Sequence, residues 1–273
     1  MGTKLAGKSG DVYVANVLLA SCETIWTNGT KGVAALDTTY VKVGSGSAKC
    51  TLAATPGTEA VAMYQTIVGG AVNISTYSHI LLWARSVPTT EAGDYRISIG
   101  TGAAAATPTT YVSLPILTAN TWKYCHCSEV VDFEMADTSA GTIIGLYTWA
   151  NGAEGDIIYL DDIRAAKVIA GINAWNLDYT TDALETTDFV SAGARSYIAG
   201  ASSWSGSFSG YKDGAPLSIG SEYGLELAES ATTTQMWLGN AIIMAVHPST
   251  SFDGTVQYSY DFQGTGSLTV ASA

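Results

Sequence analysis

Two pairs of side chains in this sequence could bind sugar. Trp83 and Arg85 stand two residues apart in the β-rich run SHILLWARS, as do Tyr147 and Trp149 in GLYTWA. Because residues two apart on a strand face the same way, each pair would present one combined surface. Aromatic rings stack on sugar faces, and a guanidinium donates hydrogen bonds to hydroxyl groups. The four residues are therefore candidate glycan-binding residues, although a tryptophan in a β-sandwich is more often part of the core or its rim.

Two adjacent acidic residues could contribute to a calcium site. They are Asp161 and Asp162 in the segment LDDI. Calcium takes six to eight oxygen ligands, so two acids alone do not define a site for it. The alternative is a role for these acids in a turn or at the edge of a sheet. Calcium is the one cofactor that the sequence leaves open.

No group of residues forms a catalytic motif. His79, His126 and His247 are scattered, and no G-x-S-x-G nucleophile elbow lies near them. The glycine-containing run GTGAAAAT lacks the lysine and the strand–helix context of a phosphate-binding loop. We therefore expect a protein that is not an enzyme.

The composition favours a large β fold. The chain has 273 residues, of which 47% are hydrophobic and only 13% are charged, with 29 glycines. Strongly amphipathic helical segments are hard to find, and short alternating runs separated by turn residues predominate, as in all-β proteins. The net charge of −12 argues against tight DNA binding, which needs clustered lysine and arginine. No apolar run approaches the roughly 20 residues that a membrane-spanning helix needs.

Four cysteines are too few for a disulfide-rich secreted scaffold. Cys125 and Cys127 share a strand face and cannot easily bridge each other, and no second pair with zinc-ligand spacing accompanies them. We expect these two residues, with Cys22 and Cys50, to be reduced thiols packed as small hydrophobic groups.

The clearest alternation lies in residues 172–211. Trp175, Leu177 and Tyr179 alternate with polar residues, and further along Trp204 and Phe208 alternate with serines. The stretch RSYIAGASSWSGSFSGYKDG, residues 195–214, resembles the signature of tail tube proteins of phages with long non-contractile tails. The opening GKSGDVYV and the closing FQGTGSLTV resemble the first and last strands of that family.

The chain departs from the family in one respect. In tail tube proteins the W-x-L strand closely follows the opening strand, whereas here it begins only near Trp175. We therefore predict a discontinuous tail-tube-like domain, residues 1–15 and 168–273, with an inserted domain at residues 16–167, since loops tolerate insertions. The insert resembles jelly-roll carbohydrate-binding modules in VGSGSAKCTL, TANTWKYC and IYLDDIRA. Some modules of that kind hold a structural calcium with an acid near their own start, so the resemblance adds Glu23 to the calcium candidates. The expected fold is a tail-tube-like β-sandwich or barrel with an inserted β jelly roll.

The resemblance implies a virion structural protein, a tail tube subunit assembled in the host cytoplasm. Six copies would close a ring, rings would stack with other tail proteins, and DNA would pass through the tube without specific binding. The insert would be displayed outside the tube, where cell-surface glycans are possible partners. In the last strand, Gln257, Ser259 and Asp261 share a polar face that is a candidate for the tube lumen or the subunit seam.

Two other functions remain open at this stage. The first is a capsid decoration protein or another ring-forming tail component. The second is a secreted carbohydrate-binding lipoprotein, because Leu19-Ala20-Ser21-Cys22 fits a lipoprotein cleavage box. Asp11 at the edge of the preceding apolar run and Asn16 within it are unusual in a signal peptide, which favours the strand interpretation of this segment.

Overall fold

The computed structural model describes residues 12–53, 60–101, 110–128, 140–187, 194–229, 235–252 and 254–272. All regular elements among these residues are β-strands, paired antiparallel in two sheets, which confirms the predicted all-β class. The described part of the chain contains no helix long and apolar enough to cross a membrane. The strands are β1 (Val12–Ala20), β2 (Thr27–Asn28), β3 (Gly32–Asp37), β4 (Ser47–Leu52), β5 (Ala60–Thr66), β6 (His79–Ser86), β7 (Tyr95–Gly100), β8 (Thr110–Ser113), β9 (Trp122–Ser128), β10 (Ile143–Thr148), β11 (Ile157–Val168), β12 (Ile172–Glu185), β13 (Tyr197–Tyr211), β14 (Glu222–Ala228), β15 (Gln235–Ser249) and β16 (Gln257–Ser272).

The chain divides into two compact units. One comprises residues 1–14 and 168–271, and the other comprises residues 15–167 with the last two residues. We call them the split unit and the central unit.

The central unit is a β-sandwich. Its first sheet contains strands β9, β6, β11, β4 and β3, and its second contains β2, β5, β10, β7 and β8 in that order. One face of each sheet is apolar, and the two apolar faces pack into one core that includes Leu82, Ile97, Leu146 and Leu160. The opposite face of each sheet therefore lies outside this core.

The alternation of side chains between the two faces of each strand places the cysteines in the core. Cys50, Cys125 and Cys127 lie on core-facing positions of their strands, and Cys22 is also buried. All four are free thiols, which confirms their predicted packing as small hydrophobic groups. Burial raises the pKa of Cys50 and Cys125 to about 12, so neither thiol is poised to act as a nucleophile near neutral pH.

The split unit is built on one strongly curled sheet. The strand order is β12, β13, β16, β15, β14 and the beginning of β1, in which Val12 pairs with Leu227. The indole N–H of Trp175, at the β12 edge, donates a hydrogen bond to the carbonyl of Ala228 at the end of β14. This contact joins strands that are four places apart in the sheet order, so the sheet must curl toward a barrel.

The core strand of this unit is β13. Trp204 and Phe208 are 2% and 1% exposed, whereas the serines between and beside them lie on the opposite face. The predicted burial of the Trp204–Phe208 face is thus confirmed. The indole lies against Gly239 and Gly264, where a β-carbon would collide with the ring, and its N–H donates to the carbonyl of Gly266 at 3.2 Å. Glycine at these neighbouring positions is what makes room for the largest side chain in the core.

Candidate functional site

A cluster of aromatic and basic side chains covers the outer face of the first sheet in the central unit. It is built by strands β4, β11, β6 and β9 together with the loop between β3 and β4. We call this cluster the aromatic face, and its members are Tyr40, Lys42, Lys49, Trp83, Arg85, Trp122, Tyr124 and Tyr159.

Strand register brings these residues into rows. Tyr159 on β11 lies opposite Lys49 on one side and opposite Arg85 on the other. Arg85 in turn lies opposite Trp122 on β9. Residues that are directly opposite on one face of a sheet are within contact distance of each other, so the row forms one continuous surface.

Arg85 occupies the centre of the aromatic face. Its guanidinium carbon lies 4.0 Å from the ring centre of Tyr40 and 5.0 Å from that of Tyr159, so the cation is held between two phenol rings. Nη2 donates a hydrogen bond to Oδ1 of Asn120 at 2.9 Å. The side chain is only 5% exposed. Arg85 therefore supports the face from below and contributes little accessible area to it.

Trp83 is covered in a similar way. The ring is 6% exposed, lies 5.1 Å from the ring of Tyr124, and carries the ammonium of Lys42 at 4.4 Å from its centre. The accessible upper surface of the aromatic face consists instead of Tyr40 and Lys42, which are exposed, and of Lys49 and Trp122, which are half-buried.

Two carboxylates shape the loop that places Tyr40 and Lys42 over the sheet. Asp37 accepts hydrogen bonds from the backbone N–H groups of Thr39 and Tyr40 at 2.8 and 2.7 Å. Asp161 accepts from the N–H groups of Lys42 and Val43 at 2.8 and 3.0 Å. Burial raises the pKa of Asp161 to about 6, while these backbone donors act in the opposite direction. The loop conformation thus depends on side chains reaching up from β3 and β11.

The three candidate calcium ligands have different structural roles. Glu23 accepts from the N–H and hydroxyl groups of Ser45, which lowers the pKa of its carboxyl. Asp162 lies at an irregularity in β11 with a positive φ of 45° and pairs with Arg164 at 2.9 Å. Across the described ranges, no three His, Cys, Asp or Glu residues form a group that could hold a metal ion. Calcium binding remains a proposal without a defined ligand set.

Tyr147 and Trp149 lie elsewhere. Tyr147 belongs to β10 in the second sheet, where it forms a small outer cluster with Val61 and Trp149. The guanidinium of Arg96 lies 3.4 Å from the ring centre of Trp149, and Tyr111 stacks on Tyr147 at 6.1 Å. Because the two sheets pack with their apolar faces together, this cluster is on the opposite side of the sandwich from Trp83 and Arg85. The four glycan candidates therefore cannot form one site.

The sequence alone does not identify several members of the aromatic face. Tyr40 and Lys42 belong to a loop, where no periodicity indicates which way a side chain points. Lys49 and Tyr159 lie on strands that the sequence indicates, so the face to which each side chain points is predictable. Their contact, however, depends on the pairing of β4 with β11. Those strands are more than a hundred residues apart in sequence.

The split unit carries a polar surface opposite its core. Ser205, Ser207 and Ser209 on β13 lie opposite Gln263, Asp261 and Ser259 on β16, respectively. Gln257 continues the same row opposite Tyr211, and Asp261 pairs with the exposed His247 at 3.0 Å. The three lumen or seam candidates, Gln257, Ser259 and Asp261, thus lie on one continuous hydroxyl-rich surface.

A long hairpin extends this sheet. β13 pairs with β16 only over Ser205–Tyr211, whereas its pairing with β12 continues outward to Glu185 opposite Tyr197. Among the described residues, the outer part is a two-stranded ribbon whose side chains are almost all exposed. It includes the cross-strand pair Leu184 and Ile198, which are 52% and 56% exposed. Residues 188–193, which follow β12 and precede β13 in sequence, lie outside the described part of the chain.

A pair of histidines at the far end of the aromatic face should make the central unit sensitive to acid. The rings of His79 and His126 are 4.8 Å apart, and burial, followed by the His126 charge, lowers the pKa of His79 to about 4. A histidine whose pKa is lowered in the folded state binds fewer protons there than in the unfolded state between about pH 4 and 6.5. Its contribution therefore lowers the free energy of unfolding as pH falls through this window.

We expect His79→Gln to reduce this acid sensitivity. The measurement is urea unfolding of the variant and the parent protein at pH 7 and pH 4.5, comparing the loss of unfolding free energy between the two. His247→Gln, at an exposed histidine of the split unit, is the control for losing a histidine and should not reproduce the change seen in His79→Gln. An equal pH dependence in His79→Gln and the parent protein would contradict the assignment. Comparing each variant with the parent removes the opposing contribution of Asp161, whose raised pKa favours the folded state at low pH.

The chain matches no protein-family model and no curated protein. Solved structures resemble parts of it. A chain from the virion of a native gene transfer agent particle is 16% identical, with 39% of this chain and 88% of that chain covered and a TM-score of 0.33. A chain from the tail of an empty gene transfer agent particle, solved with C6 symmetry, is 18% identical, with coverages of 38% and 85% and a TM-score of 0.32. The family 30 carbohydrate-binding module of a cellulosomal cellulase of Clostridium thermocellum is 14% identical, with coverages of 57% and 98% and a TM-score of 0.40. Likenesses of this size carry no conclusion about function.

Proposed function

We propose that this chain is a structural protein of a phage-like virion, a tail tube subunit that assembles with copies of itself into stacked six-membered rings. The observation that carries the proposal is the β12–β13 hairpin, which contains the tail-tube-like sequence motif and extends beyond its sheet with apolar side chains exposed. An isolated two-stranded ribbon is at best marginally stable in water. The hairpin therefore needs a partner surface, and in a homo-oligomer that partner is a neighbouring copy.

The polar surface of the split unit fits the inside of a DNA conduit. Its serine, glutamine and aspartate side chains offer hydrogen bonds but no lysine or arginine among the rows described. Phosphate neutralisation by clustered cations is what retains DNA on a protein. A surface of this composition would let DNA pass without holding it, in agreement with the net charge of −12.

The lipoprotein alternative conflicts with the position of β1. Cleavage before Cys22 would remove this strand, whose Val12 and Val14 are fully buried and pair with Leu227 and Leu225. Cys22 itself is buried, so it does not offer an accessible site for acylation in this fold. A capsid decoration protein remains the nearest competing function, because it would use the same ring-forming contacts.

Negative-stain electron microscopy of the purified protein tests the tail tube proposal. Stacked rings or tubes are the expected result, and capsid-bound oligomers in virions would favour decoration instead. Changing Leu184 and Ile198 together to aspartate should abolish tubes while leaving the melting temperature within a few degrees, because both side chains are exposed in the monomer. Thr181→Asp, on the same ribbon but at an already polar position, is the matched control and should still assemble. Tubes formed by the double variant would contradict the role of the hairpin.

A second function is supported by the aromatic face. Half-buried and exposed aromatic rings beside hydrogen-bond donors are the composition of a sugar-binding surface, and Trp122 and Tyr40 present such rings here. We propose that the central unit binds surface glycans through this face. Trp122→Ala should weaken retention of the protein on immobilised polysaccharides at least tenfold. Trp149→Ala, on the opposite sheet, is the control, and equal loss in both variants would place the site elsewhere.

A further inference from the structure

The aromatic face holds basic side chains that lack acidic partners. Lys42, Lys49 and Arg85 lie within one cluster, in a chain that carries only 12 lysines and arginines against 24 acidic residues. Among the described residues, none of these three basic groups lies within ion-pair distance of a carboxylate. Such a concentration of unpaired cations in an acidic protein attracts anions to this surface.

The acidic residues of the same region bind the loop backbone, although Oδ1 of the buried Asp161 has no hydrogen-bond partner. Asp37 accepts hydrogen bonds from two backbone N–H groups at the start of the β3–β4 loop. Asp161 accepts from two more, and it is completely buried beneath that loop. These carboxylates shape the loop rather than pair with Lys42, Lys49 or Arg85. The accessible cations of the aromatic face are therefore Lys42 and Lys49, while the half-buried carboxylate of Asp37 keeps its negative charge beside Tyr159.

Arg85 supplies a second, independent observation. The side chain is 5% exposed, Nη2 is held by Asn120, and the guanidinium also interacts with the side chain of Tyr159, which leaves Nη1 as the one nitrogen without a hydrogen-bond partner of good geometry. A buried guanidinium donor without a partner is costly, and the cost is removed when an acceptor reaches it. The planar fork of arginine matches a carboxylate better than a hydroxyl group.

We propose that the ligand of the aromatic face is an acidic saccharide, a polymer of sugars that carry carboxylates, such as uronic or sialic acids. The sugar ring would stack on Tyr40 and Trp122, and its carboxylate would lie between Lys42 and Lys49, above the buried guanidinium of Arg85. The inference rests on the glycan-binding function proposed above and adds the chemical class of the glycan.

Titration calorimetry of the full chain tests this inference with matched ligands. The acidic probes are polygalacturonate, hyaluronate and polysialate, and the neutral probes are fully methyl-esterified polygalacturonate and a mixed-linkage β-glucan. Methyl esterification keeps the polygalacturonate backbone and removes its charge. We expect an acidic probe to bind at least tenfold more tightly than the neutral probes at 20 mM salt, with this preference falling several-fold at 200 mM salt.

Variants separate charge recognition from folding. Lys42→Gln and Lys49→Gln should each lower affinity for the acidic probe by threefold or more with little change in melting temperature, because Lys42 is exposed and Lys49 is half-buried. Lys212→Gln, in the split unit, is the control for net charge and should leave affinity unchanged. Equal affinity for acidic and neutral probes, or indifference to both lysine variants, would overturn the acidic class while glycan binding stands. Binding to none of the probes would overturn both, and tube assembly would be unaffected.

Discussion

Trp204→Ala is expected to lower the free energy of unfolding of the split unit by about 3–5 kcal/mol, the usual cost of removing a fully packed aromatic side chain. The indole is 2% exposed, lies 5.9 Å from the ring of Phe262, and fills the space left by Gly239 and Gly264. Its removal would leave a cavity and free the carbonyl of Gly266 from its hydrogen bond. Urea unfolding followed by circular dichroism measures the effect.

The control for this prediction is Ser207→Ala on the opposite face of the same strand. The Ser207 hydroxyl makes one hydrogen bond, to Asn176 at 3.2 Å, while its backbone N–H keeps the shorter bond to the same oxygen at 2.7 Å. We expect Ser207→Ala to cost less than about 1 kcal/mol. Similar losses in the two variants would show that the face of β13 assigned to the core is not the one that stabilises the unit.

Excision of the inserted segment should leave a folded protein. If residues 1–15 and 168–273 form one domain, joining Ala15 to Lys167 through a short Gly/Ser loop should give a soluble β-protein that still forms tubes. The two segments are held side by side by a hydrogen bond from the N–H of Ile169 to the carbonyl of Val12 at 2.9 Å. A shorter connection also lowers the entropy cost of closing the chain, by about 0.6 kcal/mol for each halving of its length.

A second deletion provides the control for the excision. Removing residues 1–15 as well takes away Val12 and Val14, which are fully buried against β14. This chain should be unfolded or insoluble, because a core strand and its sheet hydrogen bonds are lost. Circular dichroism and size-exclusion chromatography compare the two deletions. An insoluble product from the first deletion alone would contradict the proposed domain boundary.

The sequence by itself was most informative where the physical cause is local. A strand places successive side chains on opposite faces, so the alternation in WSGSFSG specified that Trp204 and Phe208 would be buried and the serines would not. The same alternation put Cys125 and Cys127 on one face, where both are buried. The all-β class followed from many such short runs. These conclusions need only the geometry of a single strand and the free energy of burying apolar surface.

The tertiary structure decided which surfaces exist. Trp83 with Arg85 and Tyr147 with Trp149 look equivalent in sequence, yet they lie on opposite sheets of the sandwich because strand order and register are set by pairings between distant segments. Tyr40 and Lys42 join the aromatic face only because Asp37 and Asp161 bind the loop backbone above the sheet. Local periodicity specifies which face of a strand is buried, whereas a binding surface is assembled from several strands and a loop. Its composition therefore depends on contacts that no single stretch of sequence contains.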